Sequence, residues 1–238
     1  MSAPLPEATS APSSLLRASL RAARANLVPG LVLQCFAAGL VAAYYFHPAA
    51  RAALESLARF RLQAGLPFDL VTTAFFGALL PFAVLRLQAA TRHRYNGLQV
   101  LALTSYWAYK GGEVSLFYRV QAIMFGEGSD FSTIVLKTTF DQFIYCPLFA
   151  VPVTWLVYTW AEHRFDSRVI RSEWRRPGWY GRCVLPLLVA TWSVWVPAVA
   201  IIYLLPTALQ LPLQNVVLCF FTLMVIFLTK RSPDTPSP

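Results

Sequence analysis

The sequence predicts an all-α, polytopic transmembrane bundle of about six helices with both termini cytoplasmic. Three observations carry that expectation: composition, uncharged runs and the placement of basic residues. Of 238 residues, 57% are hydrophobic and only 13% charged, more apolar surface than one aqueous core can hide, so the surplus faces lipid. Residues 183–229 contain no Lys, Arg, Asp, Glu or His. At about 1.5 Å per helical residue they extend roughly 70 Å, against a bilayer core of about 30 Å. They therefore read as two crossings joined by a tight turn at Pro206, Thr207 and Pro212. The apolar runs are continuous rather than alternating, which argues against the strands of a membrane barrel.

Residues 1–26, rich in Ala, Ser and Pro and carrying Arg17, Arg21 and Arg24, read as a disordered, basic N-terminal arm. Residues 27–46 form an uncharged run longer than the apolar stretch of a signal peptide and are expected to be an uncleaved first transmembrane helix. Residues 47–68 are expected to be an extramembrane loop. Within it, Leu54, Leu57, Ala58 and Arg61 recur at helical spacing, as in an amphipathic helix on the outer surface. Residues 69–229 form the main transmembrane domain, and residues 230–238 a tail. The second span is expected at 70–85, between Asp69 and Arg86, and the third at 98–118, where it must carry Lys110 and Glu113. The fourth is expected at 143–161, with Pro147 and Pro152 producing a kink, and the last two at 184–205 and 213–228.

Basic residues test the count, because Lys and Arg collect on the cytoplasmic side. Six crossings place the N-terminal arm, the loop with Arg86, Arg92 and Arg94, the loop with Arg164, Arg168, Arg171, Arg175, Arg176 and Arg182, and the tail with Lys230 and Arg231 on one side. Five crossings would set the arm against the tail. The net charge of +9 thus reflects topology and attraction to anionic lipid, not nucleic-acid binding, because the basic residues flank spans rather than forming a domain. The expected partners are the lipid bilayer and small solutes or ions, with a homo-oligomer left open.

Ionisable groups inside a membrane are costly, so those retained are functional candidates. Lys137, Asp141, Gln142 and Tyr145 share one helical face, where the lysine and the carboxylate are spaced to pair. A second cluster comprises Lys110, Glu113, Tyr118, Arg119 and Gln121, with Gly111 and Gly112 permitting close helix approach and Glu113 able to neutralise Lys110 or Lys137. These residues line a polar path or join helices. Trp192 and Trp195 fall mid-span, where an indole N–H requires an acceptor. Gln214 and Asn215 are expected to cap the start of the last helix. His47, His93 and His163 are isolated, and Cys35, Cys146, Cys183 and Cys219 have no metal or redox spacing. The sequence offers no nucleophile–histidine arrangement, HExxH or phosphate loop, so neither an enzyme nor a cofactor is expected.

The segment 137–147, KTTFDQFIYCP, resembles the K-x-x-x-D-Q-x-x-x-x-P element of the Mpv-seventeen / peroxisomal membrane protein twenty-two family. Gly112 with Phe117, Tyr118 and Arg119 is similar to that family's Gly and Trp-Tyr-Lys/Arg. Pro186, Leu188, Ala190, Trp192, Val194, Trp195 and Pro197 resemble its P-x-L-L-A-N-W-x-V-W-P-P run. The likeness covers residues 67–229, with 72–88 matching the family's first helix. The family's Gly-Asp has no counterpart near 81–84, and Glu113, Thr191, Phe221 and Thr222 replace its Pro, Asn, Trp and Asn. Residues 27–46 are additional. The departures imply a distant, bacterial member; the expected location is the cell inner membrane if the source is bacterial and the mitochondrial inner or peroxisomal membrane if it is eukaryotic. The resemblance also implies a weakly selective channel for ions or small metabolites, with Lys137, Asp141, Gln142, Tyr118, Arg119, Trp192 and Trp195 at signature positions; the alternative, read from the polar strip itself, is a non-conducting scaffold or assembly factor in which that strip joins helices or a partner.

Overall fold

The computed structural model describes residues 27–89 and 91–228, with side chains for 30–89 and 91–223. Arg17, Arg21, Arg24, Lys230 and Arg231, with the arm and tail they belong to, lie outside the described residues. Among the described residues the chain is all-helical. Eight helices follow in order: α1 (Leu27–Phe46), α2 (Pro48–Ala64), α3 (Leu66–Leu87), α4 (Gly97–Phe125), α5 (Phe131–Glu162), α6 (Ser167–Arg175), α7 (Tyr180–Ile202) and α8 (Thr207–Leu228).

Three helices, α3, α5 and α7, are long and apolar enough to cross a bilayer, and α1 with α2, bent by 102°, provides a fourth candidate as a broken span. Their apolar side chains are not confined to the interior. Within α3 and α5, Val71 and Leu148 are 67% and 74% exposed, an outward orientation that suits lipid rather than water.

The bend between α1 and α2 follows from Pro48, which forces His47 into extended backbone; the His47 imidazole then caps α2 by accepting from the Ala50 N–H at 3.3 Å. Helix α2 is the amphipathic element expected from the sequence, but it does not lie wholly on the surface. Leu54 and Ala58 pack against the main core and Arg61 is buried. Gly65, at φ 64°, reverses the chain directly into α3. Helix α4 opens with a capping box of Asn96 and Gln99, and the Gln99 amide also donates to the Ala161 carbonyl at 2.7 Å, tying the start of α4 to the end of α5.

The main core lies among α1, α7 and α8, with Leu33, Ala37 and Val41 meeting Val194, Ala198, Ile202, Leu211 and Val217. Helix α3 crosses α4 so closely at Gly111 that an added Cβ would sit 2.2 Å from the Asp69 carbonyl oxygen. The close approach expected of Gly111 and Gly112 is therefore present, and its partner is α3.

Several boundaries differ from expectation: α4 runs on to Phe125 rather than 118, α5 begins at Phe131 rather than 143, and α8 begins at Thr207 rather than 213. Pro212 is inside α8 rather than in the preceding turn, which is formed by residues 203–206. Proline is tolerated there because it falls near the helix start and the carbonyl it frees finds another donor, described below. The prolines of α5 are absorbed by a π-helical stretch, Asp141–Ala150, within a helix that stays continuous from Phe131 to Glu162.

The crossing at Gly111 makes a direct prediction. Gly111→Ala is expected to destabilise the protein by about 1–3 kcal/mol through overpacking. Gly39→Ala, where the added methyl meets nothing within 4 Å, leaves stability unchanged or raised. Thermal unfolding of the purified variants in detergent measures both; equal melting temperatures would remove the close crossing.

Candidate functional site

Helix α4 presents Lys110 and Glu113 one turn apart, and both are nearly buried. Their ion pair measures 2.5 Å, as the i,i+3 spacing permits. Tyr145 of α5 completes the group: its hydroxyl donates to Glu113 and lies 3.0 Å from Lys110 Nζ, while the ammonium sits 5.3 Å from the tyrosine ring centre. Phe117 stacks on the same ring at 4.1 Å. Of the two carboxylates offered to Lys110 and Lys137, this one belongs to Lys110.

Asp141, Lys137 and Gln142 are also buried, but the expected ion pair between Lys137 and Asp141 is not formed. Asp141 Oδ2 accepts from the Tyr203 hydroxyl at 2.6 Å, and Oδ1 accepts from the Gln142 amide at 3.1 Å and faces Cys146 Sγ at 3.6 Å. Lys137 Nζ lies 5.9 Å from the Tyr203 ring centre, and the Lys137 carbonyl accepts from the Gln121 amide at 3.1 Å. Lys137 and Asp141 keep α-helical register, the Asp141 N–H bonding the Lys137 carbonyl, but the carboxylate is taken by Tyr203 and Gln142; the helix changes only beyond that point. Asp141 opens the π-helical stretch, whose i→i+5 register stacks it over Cys146 and turns Tyr145 away toward α4. One α-helical strip predicted from spacing thus becomes two groups, one around Tyr145 and one around Tyr203.

The same register explains Trp192. In an i→i+5 pattern the Gln142 carbonyl would meet the nitrogen of Pro147, which carries no hydrogen. The Trp192 indole N–H of α7 donates to that carbonyl at 2.7 Å. The Pro147 carbonyl would likewise meet Pro152, and it accepts instead from the Tyr180 hydroxyl at 2.8 Å. Trp192 therefore finds the acceptor that a mid-span indole requires, and fastens α7 to α5. Trp195 packs its ring 6.2 Å from Phe221, and Arg119 is exposed, away from both polar groups.

A third polar group escaped the sequence reading. Arg61 Nε donates to Asp69 Oδ1 at 2.7 Å, with Ser115 Oγ 2.5 Å from Asp69 Oδ2 and 3.3 Å from Arg61 Nη2. Arg61 Nη1 also donates to the Ala208 carbonyl at 2.7 Å, the acceptor left without an i+4 donor by Pro212. Removing one member of such a buried pair costs about 3–5 kcal/mol. Asp69 had served only to bound an apolar run; the signal available was an Arg eight residues before it on an otherwise apolar helical face.

Gln214 and Asn215 do not cap α8, because the helix begins seven residues earlier at Thr207. They lie inside it and bond outward. Tyr118 donates to Gln214, Thr73 donates to Asn215 Oδ1 at 3.0 Å, and the Asn215 amide donates to Thr72 Oγ1 at 3.2 Å.

Polar capacity remains along the α4–α5 seam. Glu113 Oε2, Gln121 Oε1, Thr138 Oγ1 and Gln142 Oε1 are buried with no hydrogen-bond partner among the described residues. Among those residues no group of three or more His, Cys, Asp or Glu side chains is placed to hold a metal ion. No family model, curated protein or solved structure matches the chain.

The role of Trp192 is testable by a double-mutant cycle. Trp192→Phe should cost about 1–2 kcal/mol in the wild-type background by orphaning a buried carbonyl. In Pro147→Ala, where the backbone regains a donor, most of that cost should vanish. Thermal unfolding of the four proteins gives the coupling; strictly additive losses would reject the assignment.

Proposed function

We propose that the protein is a six-crossing membrane protein, with both termini cytoplasmic, that passes small polar solutes or ions along the seam between α4 and α5. The crossings are α1, α3, α4, α5, α7 and α8. The supporting observation is the combination of buried Lys137, Asp141 and Gln142 with unpartnered polar atoms on that seam. In a bilayer such atoms are costly unless water or a polar guest reaches them in some state. The arrangement is then the closed form of a channel-like path, in which Asp141 selects by charge, Lys137 supplies donors and Gln142 Oε1 an acceptor. The motif likeness to the Mpv-seventeen / peroxisomal membrane protein twenty-two family supports the same reading, with the cell inner membrane as the location in a bacterial source and the mitochondrial inner or peroxisomal membrane in a eukaryotic one.

A scaffold reading draws on a different observation: both carboxylate oxygens of Asp141 are engaged, and Trp192, Tyr180 and Arg61 act as fasteners between helices. Such a protein would hold its bundle shut and serve assembly rather than passage.

Reconstituted liposomes separate the two. Wild-type protein should raise the flux of small ions above empty vesicles, and Asp141→Asn should reduce the preference for cations over anions. Flux equal to that of empty vesicles, with Asp141→Asn lowering only the melting temperature, would overturn the channel reading in favour of the scaffold.

A further inference from the structure

A cleft opens where α3 ends and the chain turns toward α4. One wall is apolar, formed by Phe82 and Leu85; the other carries Arg86, Thr91, Arg92 and Tyr95. Its void of about 10 Å³ has room for a single water-sized group, such as one oxygen of a phosphate.

The frame of the cleft is fixed by its own hydrogen bonds. Thr91 Oγ1 donates to the Leu85 carbonyl at 2.9 Å, the Tyr95 ring meets Phe82 edge-on at 5.3 Å, and the Tyr95 hydroxyl donates to Glu162 at 3.0 Å. Burial pushes that hydroxyl up to about 12, so it remains a donor at neutral pH. Arg94 also approaches Glu162, at 3.8 Å, at the end of α5 where the arginine-rich segment begins.

The charges inside the cleft are not neutralised in this way. Arg86 and Arg92 are exposed and form no ion pair among the described residues. In the same loop, both amide atoms of Gln88 are buried without a partner among those residues. Two free guanidinium groups suit an anionic oxygen cluster, for which arginine forms charge-assisted, often bidentate bonds. The apolar wall lies at the end of a candidate span, where a lipid glycerol and the start of its acyl chain would rest.

We propose that this cleft binds a phosphate group, supplied by the headgroup of an anionic phospholipid and held by Arg86 and Arg92. The site is independent of the α4–α5 seam.

The test uses the purified full chain in neutral detergent, titrated by native mass spectrometry with phosphatidylglycerol and, separately, by thermal shift with inorganic phosphate. Arg86→Gln/Arg92→Gln is compared with Arg171→Gln/Arg175→Gln, which removes the same charge from exposed positions on α6. All four arginines are exposed, so both variants should keep the wild-type melting temperature without ligand. The cleft variant should weaken phosphatidylglycerol binding about tenfold or more, and the α6 variant less than about twofold. Equal weakening in the two variants, or none in either, overturns the site. Cleft-dependent stabilisation by inorganic phosphate without cleft-dependent lipid binding overturns the lipid as the source.

Discussion

A backbone carbonyl buried away from water must find a donor within the protein, and proline removes the donor that a helix would normally provide. Much of this bundle is arranged around that constraint. Pro147, Pro152 and Pro212 each free a carbonyl, and the Trp192 indole, the Tyr180 hydroxyl and the Arg61 guanidinium reach from other helices to fill them. The last of these carries consequences through the fold. Burying Arg61 beside α8 requires a counter-charge, which Asp69 supplies from α3, and Asp69 in turn bonds Ser115 of α4. That contact requires α3 and α4 to approach closely, which Gly111 allows. A proline in the last helix and a glycine in the fourth are therefore parts of one arrangement.

Buried ionic groups seldom add stability relative to apolar residues of the same shape, because desolvation offsets most of their attraction. The chain nevertheless keeps Lys110 with Glu113, Arg61 with Asp69, and an unpaired Lys137 near Asp141. The first two fix helix positions. The third group is different in kind: Asp141 is held by neutral partners, Tyr203 and Gln142, and polar atoms of Gln121, Thr138 and Gln142 on its seam lack partners. That contrast is why the proposed path runs along the α4–α5 seam and not past Arg61.

The helical class was legible from the long uncharged runs, and the positions of α1 and α7 followed from them, whereas α5 begins at Phe131 instead of 143 because Lys137 and Asp141 interrupt its uncharged run. The Lys110–Glu113 pair was legible from i,i+3 spacing, and the close approach at Gly111 from adjacent small residues. Regular periodicity failed where the helix is not regular. The π-helical stretch shifts the register after Asp141, so Tyr145 leaves the predicted strip and joins Lys110, while the Asp141 carboxylate is taken by Tyr203 and Gln142 rather than by Lys137. Pro212 reads as punctuation because no local pattern announces that an arginine from α2 will cap the Ala208 carbonyl it frees. For the same reason Gln214 and Asn215 looked like caps although they are helix-to-helix contacts. Long-range pairing, with Arg61 and Ala208 far apart in sequence, is the part that spacing rules do not reach.

Most depends on α4 being a crossing despite Lys110 and Glu113, since the proposed sidedness of the basic loops and the proposed path along the α4–α5 seam both require it. Single cysteines at Arg92, Glu127 and Arg164, in a background with Cys35, Cys146, Cys183 and Cys219 replaced, can be labelled with a membrane-impermeant maleimide in sealed, right-side-out vesicles. The prediction is that position 127 labels directly, while positions 92 and 164 label only after permeabilisation. Labelling of positions 92 and 127 from the same side would contradict it.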